Sequence, residues 1–97
     1  MTRLDINTAR CEALFSSGLQ ESDELTATSV TAAISTAVRR FGVGGCVRLM
    51  AQEFGDHPQA ARDRMRWAQL VVSQLSTAPA ASTADVRPAG YAVRHAA

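Results

Sequence analysis

Apolar residues recur along this chain at helical spacing, with no strand-like alternation over any stretch. Leu4, Cys11, Leu14 and Phe15 keep an i, i+3/i+4 rhythm, which predicts a first helix over roughly residues 5–17, with Gly18 as its stop. The polar segment QESDELTAT then reads as a loop. Val30, Ala33, Ile34, Ala37, Val38 and Phe41 follow the helical rule most closely. Thr26 or Thr28 can cap this second helix, and Gly42 can end it in a left-handed conformation. Glycines cluster in GVGG at 42–45, which predicts a tight interhelical turn; without a Walker lysine the run is no phosphate cradle. A short third helix is expected from Cys46 to Phe54, with Val47, Met50, Ala51 and Phe54 as its buried side and Gly55 as its end. The fourth spans about 58–76. Asp56 and Gln59 have capping spacing, and Pro58 suits a first helical turn, where its missing N–H costs nothing.

The expectation is therefore an all-α, small four-helix domain over residues 1–76. Its predicted core is Ile34, Val38, Phe41, Met50, Phe54, Met65 and Val72. Residues 77–97, rich in Ala, Pro, Ser and Thr and poor in large apolar side chains, read as a disordered, flexible C-terminal tail. Ninety-seven residues support one domain at most, and a core this small leaves a thin stability margin. Partner-assisted folding is consistent with that margin.

Net charge is +1, which supplies no bulk attraction to nucleic acid or to an anionic membrane. The distribution is uneven: residues 1–38 are acidic on balance and residues 39–66 basic, and all ten basic residues are arginine. Two cysteines, Cys11 and Cys46, allow no four-thiolate metal site. Free, buried thiols in a reducing cytoplasm are expected, because the N-terminus carries no secretory pattern and no apolar run approaches a membrane span. No sequence-local nucleophile–base pair appears, and Glu21, Asp23 and Glu24 lack calcium-loop spacing. The expectation is a protein without catalysis, metal, cofactor or small-molecule substrate.

The segment MAQEFGDHPQAARDRMRWA, residues 50–68, resembles the helix-turn-helix of bacterial transcription regulators. Ala51 and Gly55 take the small and turn positions of that pattern, Met50 and Phe54 the apolar ones, and His57-Pro58 the polar-Pro start of the second helix. The resemblance implies that Ala51 permits a close helix crossing and that Gly55 accepts a left-handed turn. It implies a recognition helix after Pro58, with Gln59, Arg62 and Arg66 facing duplex DNA and His57 and Arg64 contacting phosphate. Asp56, Ala61 and Asp63 depart from the pattern. The alternative is a protein–protein interaction or dimerisation module, working as a homodimer or docked on a larger protein. Trp67 and Leu70, on the flank and outer side of the fourth helix, would be its contact surface.

Overall fold

The computed structural model describes residues 6–75 and Val86. Among them there are three helices and no strand: α1 (Ile6–Ser16), α2 (Ala27–Asp56) and α3 (Pro58–Leu75). The predicted first and fourth helices correspond to α1 and α3. The predicted second and third are one element, α2, bent at Gly42. That residue has φ 76 and ψ 164 and is the only positive-φ glycine among the described residues. The predicted GVGG turn is thus a single broken residue, and the helix resumes through Gly44 and Gly45. There the missing side chains admit close neighbours: a Cβ on Gly45 would lie 3.1 Å from the Cβ of Phe41.

Local chemistry sets the ends. Ser17 closes α1 through its hydroxyl, which donates to the Leu14 carbonyl at 2.7 Å, while its N–H reaches the same carbonyl at 3.1 Å. Thr26 is the cap of α2, in a reciprocal box: the Ser29 N–H donates to Thr26 Oγ1 and the Thr26 N–H to Ser29 Oγ, each at 3.0 Å. Gly55 does not turn the chain. It lies inside α2, and the break falls on His57 (φ −140, ψ 68), so Pro58 opens α3 as expected.

Ala61, Trp67, Ala68, Val71 and Val72 of α3 are buried. Trp67, Ala68, Val71 and Val72 meet Cys11 and Leu14 of α1, Leu25 just before α2, and Ala27 and Val30 at its start. A smaller cluster joins Ala13, Ala37 and Cys46, three small side chains that let α1 approach α2 on both sides of the bend. Phe15 stacks on Phe54, ring centroids 5.9 Å apart.

The predicted core needs correction. Of its seven members only Val72 is buried; Ile34, Met50, Phe54 and Met65 are half-buried, and Val38 and Phe41 are each 37 % exposed. The reason is the bend. α2 packs through its small residues, so the larger apolar side chains near Gly42 reach past the part of α2 that α1 and α3 cover. The predicted tail lies outside the described residues except for Val86. That residue is buried in the main core and donates its N–H to the Leu25 carbonyl at 2.9 Å, so the chain returns to the core beyond the expected boundary. No helix among the described residues is long and apolar enough to cross a membrane. Cys11 and Cys46 are buried thiols, neither of them in a disulfide.

Candidate interaction surface

Three groups of side chains bear on function: the outer face of α3, the arginine on its inner side, and the bend of α2.

Gln59, Arg62 and Arg66 are all exposed. At 100° per residue they share one side of α3 with Gln69 and Ser73, opposite the arc of Ala61, Ala68, Val71 and Val72 that meets the core. Arg62 Nη2 donates to Gln59 Oε1 at 3.2 Å. His57 is exposed as well, at the end of α2, and donates its N–H to the Glu53 carbonyl. Ala51 and Gly55 are exposed and helical, so neither mediates a helix crossing or a left-handed turn.

Arg64 does not join that face. Its Nε donates to the Phe15 carbonyl at 2.7 Å, and Nη2 reaches the carbonyls of Leu14 (3.2 Å), Ser17 (2.9 Å) and Leu19 (3.0 Å). One guanidinium thus caps the C-terminal end of α1 and pins the turn after it. Positive charge is favoured there because the last carbonyls of a helix lack partners and carry partial negative charge. The same group lies 4.9 Å from the centre of the Trp67 ring and 5.9 Å from that of Phe15. Burial lowers its pKa from the ordinary arginine value, and the carboxylates of Glu21 and Glu53 oppose that shift. The phosphate role assigned to Arg64 is corrected accordingly: its Nε and Nη2 donors are committed to carbonyls of this chain. Spacing alone held the signal, since Arg64 stands three residues after Ala61 and four before Ala68, on the buried stripe.

Trp67 is also corrected. It is completely buried among the core side chains rather than on a contact flank, and its indole N–H finds no acceptor among the described residues. Leu70 is 39 % exposed.

The bend of α2 is where large apolar groups meet solvent. Six large apolar side chains are exposed among the described residues, and four of them, Val38, Phe41, Val43 and Val47, flank Gly42 within ten positions. Arg39, Arg40 and Arg48 are exposed beside them. The Arg40 guanidinium lies 5.4 Å from the Phe41 ring centre, and Arg48 Nη2 would be 3.9 Å from a Cβ on Gly45, the residue against Phe41. From Leu25 to Gln52 the chain carries three arginines and no acid. An open groove of about 460 Å³ runs between the end of α1 and the first arm of α2. Ser16 and Gly18 line it on one side and Ser29, Ala33 and Thr36 on the other, with Arg40 and Phe41 at its end.

Burial pushes the Cys46 thiol above its ordinary pKa. Its Sγ lies 3.8 Å from the Ala37 carbonyl, across the bend, and the Ser16 hydroxyl donates to the Cys46 carbonyl. No protein-family model matches the chain, and no curated protein or solved structure is significantly similar to it.

Proposed function

We propose that this chain is a helical protein–protein interaction module whose contact surface is the bent helix α2. One observation carries the reading: four of the six exposed large apolar side chains flank Gly42. Scattered exposed leucines are ordinary, but a concentration of apolar groups on one element marks a surface that another molecule covers. Trp67 plays no direct part, being buried. The test is photo-crosslinking in the cells that make the protein, with p-benzoylphenylalanine in place of Phe41 and, separately, in place of Ser73 on the outer face of α3. A discrete protein adduct from position 41 and none from position 73 supports the reading. No adduct from 41 refutes it.

A second reading draws on the shared outer face of Gln59, Arg62 and Arg66. Those side chains suit base edges and phosphates in a DNA groove. A helix-turn-helix working through α3 then requires duplex binding that weakens steeply with salt. Binding that vanishes in the double variant Arg62→Ala/Arg66→Ala would favour this reading over the first.

A further inference from the structure

We infer that the groove beside the first arm of α2 takes an acidic amphipathic helix that anchors itself by bulky apolar side chains. The inference rests on the interaction reading above and adds the chemistry of the partner.

The groove wall is made of small groups, Ala33, Ser29, Thr36 and Gly18, and so leaves room for bulky side chains supplied by a partner. From Ser29 to Phe41 the helix rises about 18 Å, about three turns. That length suits an amphipathic helix with anchors at i, i+3/i+4 and i+7. At the end of the groove the anchors meet the exposed Phe41, with Arg40 over its ring and Arg48 beyond Gly45. One guanidinium on an aromatic ring and a second beside Gly45, in a stretch with no acid from residue 25 to 52, call for carboxylates on the partner.

Charge also argues against the other occupants. A second copy presenting the same face would oppose arginines to arginines. Its acidic loop at Glu21, Asp23 and Glu24 offers carboxylates but no exposed bulky anchor, since Leu25 beside it is buried. Residues 87–97 of this chain carry two arginines and no acid, which is the wrong sign for docking beside Arg40. A membrane surface offers no shape that fills a groove walled by Ser16, Gly18, Ser29, Ala33 and Thr36.

The probe is a stapled amphipathic helix of about 16 residues, long enough to overrun the groove at both ends. Its face of Leu is backed by Glu, and two controls carry Gln or Lys at the Glu positions. Binding is measured by fluorescence anisotropy on the full chain, with circular dichroism confirming that each variant is folded. The Glu peptide should bind, and the Gln peptide should bind about fivefold more weakly for each charge pair lost. Reversing Arg39, Arg40 and Arg48 to Glu should weaken the Glu peptide roughly hundredfold and transfer the preference to the Lys peptide. Ala33→Trp, which fills the groove without changing charge, should abolish binding of all three. Equal affinity for the Glu and Gln peptides overturns the inference. So does binding that survives Ala33→Trp, or binding only to phosphatidylserine vesicles or duplex DNA. If position 41 crosslinks a protein in cells while the Glu peptide fails, the partner chemistry is wrong and the interaction reading stands. If the peptide binds but no adduct forms in cells, the interaction reading falls instead.

Discussion

Replacing Arg64 with methionine separates a structural arginine from a ligand-binding one. Met keeps most of the apolar stem against Trp67 while deleting every donor. Four carbonyls then lose a charged partner, those of Leu14, Phe15, Ser17 and Leu19. Ser17 and Leu19 are half-buried and water can replace part of their loss, and the Leu14 carbonyl keeps the Ser17 hydroxyl and N–H, so the carbonyl of the buried Phe15 bears the main loss. An acceptor stripped of its partner away from water costs about 1–3 kcal/mol. The guanidinium over the Trp67 ring adds about 0.5–1 kcal/mol more. The sum is about 1.5–4 kcal/mol, a large part of the total stability of a domain this size. The midpoint of thermal unfolding, followed by circular dichroism, should fall by at least about 6 °C, at about 4–8 °C per kcal/mol. Arg64→Lys should recover part of this, since an ammonium keeps the charge but not the planar fork that reaches several carbonyls at once. A methionine variant melting within about 3 °C of the parent would refute the capping role and return Arg64 to the list of solvent-facing arginines.

Glycine substitutions should split by backbone geometry. Gly42→Ala, at φ 76 and ψ 164, should cost about 1–3 kcal/mol in urea denaturation, whereas Gly55→Ala, helical with open space around its Cβ, should gain up to about 1 kcal/mol. Destabilisation by Gly55→Ala would restore the left-handed turn. Trp67→Ala should cost about 3–5 kcal/mol and Leu70→Ala little, because the first is fully buried and the second lies on the outer side of α3; equal costs would show that the core is misplaced. Cys46 should make stability depend on alkaline pH. Its pKa is raised in the folded state, so the unfolded chain loses the proton first, and stability present below pH about 9 declines as pH rises further. Cys46→Ala should flatten that decline, and an unchanged slope would contradict the assignment.

Much of the architecture is legible in the sequence because its signals are local. The Thr26 cap, the Pro58 start and the period of α3 each depend on residues within a few positions. What escapes is set by contacts across the chain. A helical pattern gives the direction of an apolar face but not how far along it a neighbour extends, so Phe41 and Val38 look like core and are exposed. Arg64 reads as one more polar residue until the end of α1, some fifty positions earlier, supplies its acceptors. Val86 has no local apolar pattern at all; its place is set by the core side chains it joins and by its backbone bond to Leu25. Glycine is the least legible residue, since Gly42 breaks α2 while Gly44, Gly45 and Gly55 continue it.

The central claim is that α2, rather than the outer face of α3, is the working surface. The most direct measurement is the crosslink from position 41, repeated in two backgrounds, Arg62→Ala/Arg66→Ala and Arg40→Glu. The account predicts that the adduct survives the α3 substitutions and is lost on reversal of Arg40. An adduct that disappears with Arg62 and Arg66 and persists with Arg40→Glu would contradict it.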